Sequence, residues 1–398
     1  MRSRPPLWCV ALVGMILLCP STSPAFAAPP SPLPAASPRS PLPVLAYYYI
    51  WFNASSWNRA KHDYPSLGRY TSDESTVMRT HIREAKASGI TGFLVSWKDT
   101  PQLDERLDKL ITVAREEKFT LGIVYEGLDV KREPLPVGKV LHDMQAFDRR
   151  WGSDSVFDLY GRPLMVWAGT WRFSTADLTL VSKTVRPSLQ LLASEKDVNR
   201  WEQVGPLVDG DAYYYSSMDP TKDKHAAAKL TNMSTAVHGT HGLWIAPAAP
   251  GFDARLIGGT REVPRNDGAT LKAEWANALA SSPDAVGLIS WNEFTESSYV
   301  EPSRQYGTVA LRTLAALTGT PGPQGELDSS APAGRSTASP WRALLIGALL
   351  LGLAVFAGLR SRRPHGPRPT TLPGFPIQPG SEARTPCGDR PTTTSGQP

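Results

Sequence analysis

Cysteine is nearly absent from this chain of 398 residues. Only Cys9, Cys19 and Cys387 occur, and none lies between residues 44 and 318. That middle stretch can form no disulfide and cannot act as a thiol enzyme. Its core alone must stabilise it, which is readily done at this size, because a chain of roughly 275 residues buries about three quarters of its surface. A surplus of positive charge is missing there too. The formal +5 comes from Arg2 and Arg4 at one end and from Arg360, Arg362, Arg363, Arg368, Arg384 and Arg390, against Glu382 and Asp389, at the other. What remains is close to neutral, which argues against a nucleic-acid partner. Proline follows the same partition: 13 of 37 lie in the middle and the rest crowd into the ends. Gly258-Gly259 and Gly319-Thr320-Pro321-Gly322 are loop signals without a phosphate-cradle pattern. Ser96 and Ser290 lack a nearby His, which disfavours serine hydrolase chemistry. His238 and His241 straddle a Gly with no third ligand in reach, so neither a metal nor another cofactor is expected.

The ends read as targeting segments. Arg2 and Arg4, an apolar run over 7–18 and Ala25-Phe26-Ala27 give the three parts of a secretory signal peptide, expected to span residues 1–27. A Pro-rich spacer over 28–43 follows, and 319–340 repeats its composition as a linker. Residues 343–359 then run without a charge, with Trp341 in front and Arg360, Arg362 and Arg363 directly behind. This pattern predicts a membrane-spanning helix over 341–359, a middle domain outside the cell and a basic cytoplasmic tail over 360–398.

Within 44–318 short β-type runs alternate with longer amphipathic ones. Strands are expected over 44–51, 92–98, 120–126, 163–168, 188–194, 211–216, 242–246 and 285–291. Helical patterns recur between them, for example over 73–88, 103–118, 224–237, 269–280 and 306–317. Eight such units predict a (β/α)8 barrel rather than an open doubly wound sheet. In a barrel the chemistry sits at the carboxyl ends of the strands. There the sequence places Tyr48, Tyr49 and Trp51, then Ser96, Trp97 and Lys98, Tyr125 and Glu126, later Trp167, Trp171, Glu195 and Tyr213 to Tyr215, and finally Trp291, Asn292, Glu293, Phe294 and Glu296. Ten of the 12 tryptophans fall in this middle region. Flat aromatic faces stack on sugar rings, while carboxylates and amides accept sugar hydroxyls.

Glu293 and Glu296 stand three apart just past the last apolar strand, bracketed by Trp291 and Phe294. Cleaving a glycosidic bond needs one carboxyl group to protonate the leaving oxygen and another to act as nucleophile or base. Two close carboxylates walled by aromatics would hold one proton on the pair. Asn292 is suited to hold a sugar hydroxyl or to orient Glu293.

The segment from Trp291 through Asn292, Glu293, Phe294 and Glu296 to Glu301-Pro302 resembles the signature of glycoside hydrolase family 99, the endo-α-mannosidase and endo-α-mannanase group. The run from Ala46 to Phe52 resembles that family's first strand and Gly92 to Trp97 its second. Pro250-Gly251-Phe252-Asp253 with Arg261 resembles its Pro-Gly-aromatic-Asp…Arg segment. The Glu296-Ser297-Ser298-Tyr299 portion is closer to family 71, the α-1,3-glucanases. The family 99 resemblance implies that Glu293 deprotonates a sugar 2-hydroxyl, which attacks the anomeric carbon, and that Glu296 is acid and then base. It further implies sugar contacts at Trp97, Glu126 and Tyr214. Tyr48, Tyr49, Trp51, Trp291 and Asn292 complete the expected binding residues. The expected partner is an α-linked polysaccharide or surface glycan, the alternative being a barrel that binds such a glycan without cleaving it.

Overall fold

The structure, a computed structural model, describes residues 42–323. Eight parallel strands close into a barrel: β1 Val44–Tyr49, β2 Gly92–Trp97, β3 Thr120–Glu126, β4 Leu164–Ala168, β5 Gln190–Ala193, β6 Gly210–Ala212, β7 Leu243–Ala248 and β8 Ala285–Leu288, with β8 pairing back onto β1. Helices follow the strands: α1 Ser75–Ala87, α2 Pro101–Glu117, α3 Val137–Trp151, α4 Thr175–Val185, α5 Val198–Val204, α6 Ala226–Gly239, α7 Ala269–Ala280 and α8 Val309–Thr318. A short antiparallel pair, Phe252–Asp253 with Glu262–Val263, decorates the loop after β7. The predicted signal peptide, membrane helix and cytoplasmic tail lie outside the described residues. Among the described residues no helix is long and apolar enough to cross a membrane.

Strand parity sorts the side chains into two cores. Leu45, Tyr47, Leu94, Val124, Val166 and Ile245 fill the barrel interior. The alternate positions, including Tyr48, Phe93, Val95 and Trp97, pack outward with helix residues such as Ile82, Leu107 and Leu110. Local chemistry supports the units. Thr100 caps α2 through the Leu103 amide and Pro101 fills its first turn, while Ser174 and Asp177 form a reciprocal capping box on α4. Arg106 of α2 is fully buried. Its guanidinium binds both oxygens of Asp73 and donates to the Ile50 carbonyl at 3.0 Å, which ties α2 to the end of β1.

Three expected strands run long. The ladders of β1, β6 and β8 stop at Tyr49, Ala212 and Leu288, and the residues beyond turn to build the barrel mouth. His238 pairs with Asp284 at 3.1 Å, a contact between α6 and the entry to β8.

One buried group makes the fold sensitive to pH. Glu274 on α7 is 1 % exposed, and neither carboxylate oxygen has a hydrogen-bond partner. Burial, reinforced by the charge of Asp219, pushes it from 4.5 up to about 8. The folded chain therefore holds this proton more tightly than the unfolded chain does. The associated stability is full below pH 4.5 and declines as pH rises towards 8. Glu274→Gln should stabilise the protein by on the order of 3 kcal/mol near neutral pH and hardly at all at pH 4. Thermal denaturation at the two pH values checks this; an equal shift at both would remove the explanation.

Candidate active site

The segment after β8 closes on itself before it reaches the mouth. The Ser290 amide donates to the Ser298 carbonyl at 2.7 Å, Val300 returns to the Ser290 carbonyl at 2.9 Å, and the Ser290 hydroxyl accepts from the Glu293 amide at 2.8 Å. From below, Glu301 receives the Tyr70 hydroxyl at 2.8 Å and contacts His81 Nε2 at 3.1 Å, both inside the core. From the side, Arg265 donates to the carbonyls of Ser297 and Tyr299 at 2.9 and 2.8 Å, and the Asp253 amide holds the Glu296 carbonyl at 2.7 Å. Asp253 itself is fixed by Arg255 and by His62 at 3.2 Å. Glu293 and Glu296 are thus carried on a braced loop.

Both carboxylates line a cleft at the carboxyl end of the barrel, which opens about 550 Å³. Tyr49, Trp51, Glu126 and Tyr214 line it with them. The Tyr49 and Tyr214 hydroxyls meet at 2.8 Å, and Trp51 stacks on Tyr49 with 4.3 Å between ring centres. Glu126 accepts the Ser96 hydroxyl at 2.7 Å. Burial pushes Glu126 above the usual carboxylate range against the pull of that bond and of Lys98. Burial also raises Glu293, opposed by the Thr295 amide, 2.9 Å from Oε1, and by the cations Lys61 and Arg59. Tyr214 is held neutral by burial and by the charges of Glu296 and Glu293. A polar floor of acids and phenols under aromatic walls suits a polyhydroxylated ring.

Four expected binding residues are elsewhere. Tyr48 points outward, with its hydroxyl 3.0 Å from His81 Nδ1 and its ring stacked on Phe93. Trp97, one position past the inward Ser96, packs against Phe147 and Trp151 and donates to Asp104 at 2.9 Å. Trp291 is buried against His81 and Phe93. Asn292 is fully buried, and both ends of its amide are taken by the Tyr49 backbone, at 2.9 and 3.0 Å. It clamps β1 to the loop and thereby positions Tyr49; its amide does not reach the cleft.

Other lining residues escaped the sequence reading. Leu128, Asp129 and Arg132 come from the β3–α3 loop, a tight turn in which Arg132 has φ 64° and the Asp129 side chain accepts the amides of Lys131 and Glu133 at 2.8 Å. Gly169 comes from the turn after β4, as does Trp171, which the sequence already places at the carboxyl end of that strand. At Gly169 φ is 91° and an added Cβ would fall 2.6 Å from Leu128, so glycine is what lets these two loops touch. Elsewhere, Asp99, His142 and Asp143 bring ligand-type atoms within 4.8 Å of one another, but the Lys139 ammonium already sits 2.9 Å from Asp143.

The sequence pattern of glycosyl hydrolase family 71 matches residues 67–313. The chain belongs to glycosyl hydrolase family 71. That membership makes it a glycosidase by family, and the matched span runs from before β2 into α8, so the braced loop lies within it. Among solved structures, the family 71 barrel is similar to the GH99 endo-alpha-mannosidase of Bacteroides thetaiotaomicron. One structure, in complex with bis-tris-propane, has a TM-score of 0.61 at 17 % identity and covers 69 % of this chain and 96 % of that one. A second structure of that enzyme has a TM-score of 0.61 at 16 % identity, covering 70 % and 97 %. A glycoside hydrolase-like protein follows with a TM-score of 0.53 at 16 % identity, covering 72 % and 96 %. At these identities the likeness is one of fold. No curated protein matches the sequence.

Proposed function

We propose that this family 71 protein hydrolyses α-glycosidic bonds of a polysaccharide or surface glycan, with Glu293 and Glu296 as the reacting pair. The observation that carries the reading is the convergence of both carboxylates, with Glu126, Tyr49 and Tyr214, on one cleft at the carboxyl end of the barrel. Glu293 takes the part of base or nucleophile: burial raises it, and the Thr295 amide with the cations Lys61 and Arg59 works against that rise, towards its charged form. It removes the proton of the sugar 2-hydroxyl, whose oxygen bonds to the anomeric carbon as the leaving oxygen departs, and returns that proton when water breaks the new bond. In the direct route its own carboxylate forms that bond and is released by water. As the anomeric C–O bond breaks, Glu296 gives its proton to the leaving oxygen, then takes one back from the water that completes hydrolysis. The choice of an α-linked substrate rests on the motif resemblances and on the named activity of the structural relative. Export and anchoring through 341–359 rest on the sequence pattern of the two ends.

Proton NMR of products released by the full-length protein from α-mannan, α-1,3-glucan and other α-glucan oligosaccharides tests this. Product release with a defined anomer is expected. Binding without any release would leave a carbohydrate-binding barrel.

Lys61 offers a finer check. Its ammonium is held by the Ser56 carbonyl at 2.6 Å, and its charge favours ionised Glu293. In Lys61→Met, Glu293 becomes harder to ionise, so the acidic limb of kcat/KM should move to higher pH by about one unit or less. A limb that stays in place would disconnect Lys61 from Glu293.

A further inference from the structure

Of the ten tryptophans between residues 44 and 318, all but Trp51 and Trp171 are buried. Both exceptions line the cleft. Trp51 stands on the loop after β1, the neighbour of β8, and is stacked on Tyr49. Trp171 stands across the mouth: β4, which carries it, is four strands from β8 in either direction round the barrel. Among the described residues Trp171 belongs to none of the apolar clusters, so it does not serve the core. Lys196 covers one face of its ring, with the ammonium 4.0 Å from the centre, and does not itself line the cleft; the rest of the indole borders it. Leaving an indole partly wet forgoes part of the free energy that burying so large an apolar side chain would supply.

The turn that presents Trp171 is fixed on both sides. Thr170 is buried and its hydroxyl accepts the Ser194 amide at 3.1 Å, while the Ser194 hydroxyl accepts the Gly169 amide at 3.2 Å. Arg172 pairs with Glu133 of the β3–α3 loop at 2.5 Å. Trp171, between these anchors, is held at the cleft by the fold itself.

We propose that Trp171 is the stacking platform of a second sugar subsite, which takes a pyranose of the same α-linked chain away from the bond that is cut. A pyranose offers a face of C–H groups to an indole, and the side chains of Asp129 and Arg132, which line the same cleft from the neighbouring loop, can take hydroxyls at the ring edge. This deepens the proposed glycosidase reading and rests on it. Glu293 and Glu296 lie on the β8 loop, so the sugar on Trp171 is a chain neighbour of the one whose anomeric carbon reacts. The cleft thereby selects for chain length.

The test is kcat/KM of the full-length protein on α-1,3-glucan, α-mannan and other α-glucan oligosaccharides, from disaccharide to hexasaccharide. In the unaltered protein the longest chains should be cleaved about ten-fold more efficiently than the shortest one that reacts, and in Trp171→Ala that advantage should fall towards one. Trp171→Phe should keep most of it, whereas Trp171→Leu, apolar but without a flat face, should lose it. Each ratio is taken within one variant, so it does not depend on how much of that variant folds. An advantage that survives in Trp171→Ala and Trp171→Leu, or that the unaltered protein lacks, overturns the proposal. If the unaltered protein cleaves no chain, the glycosidase reading fails, and the same ratio is read from calorimetric affinities. Affinity that grows with length, and loses that growth in Trp171→Ala, then still supports the subsite. Absence of binding by any chain overturns both.

Discussion

Glu296→Gln is expected to lower kcat on a natural α-linked oligosaccharide by about 10³-fold while leaving affinity close to that of the unaltered protein. The amide keeps the shape and volume of the carboxyl group, and the loop that carries Glu296 is held through its backbone, by the Asp253 amide and by Arg265 on the carbonyls of Ser297 and Tyr299. Folding should therefore survive. A glycoside whose leaving group is a strongly acidic phenol, such as 2,4-dinitrophenol, needs little protonation to depart. The variant should recover most of its bond-cleaving rate on that substrate. An equal loss on both substrates would take the role of acid away from Glu296.

Glu293→Gln should be at least as damaging, by about 10³- to 10⁴-fold, and an acidic leaving group should not rescue it. The deficit lies on the attacking side of the bond, where no property of the leaving group helps. The replacement also removes the acceptor for the Thr295 amide, now 2.9 Å away, although the glutamine oxygen can take its place. Pre-steady-state kinetics on the dinitrophenyl glycoside separates the two variants: bond cleavage stays fast in Glu296→Gln and becomes slow in Glu293→Gln. Rescue of Glu293→Gln by that substrate would reverse the assigned roles.

The barrel was legible because its signal is local. Each of the eight expected strands overlaps an observed one, and the pattern over 269–280 coincides with α7, Ala269–Ala280. Helix α4 was harder to see. Its Thr and Val residues favour strands, and the capping box of Ser174 and Asp177 together with packing of Leu178 and Val181 holds it helical. The misplacement of Tyr48 and Trp97 follows from one omission. Strand-end aromatics were grouped by nearness to the carboxyl end, yet consecutive residues face opposite sides. Tyr47 and Tyr49 go inward and Tyr48 outward; Ser96 goes inward and Trp97 outward. Tyr214, two past the last paired residue of β6, keeps the inward parity of Ala212 and reaches the cleft. Arg132 and Lys61 belong to loops without periodicity, and only closure of the barrel brings them near Glu126, Glu296 and Glu293.

The bracing of the β8 loop also bears on what a bound sugar must do. Residues 290–301 have almost no regular secondary structure, yet their backbone is bonded to itself, to Tyr47 and to Asp253, and Glu301 is anchored beside His81 in the core. Their order is thus acquired when the chain folds. Under the proposed assignment, a glycan entering the cleft would meet reacting groups already in place, with no loop to be immobilised at the moment of association. Binding energy that an induced-fit enzyme would lose to ordering is left to distort the sugar towards its transition state. Preorganisation of this kind predisposes the enzyme to a high chemical rate, and places any slow step in the entry or departure of the chain rather than in assembly of the site.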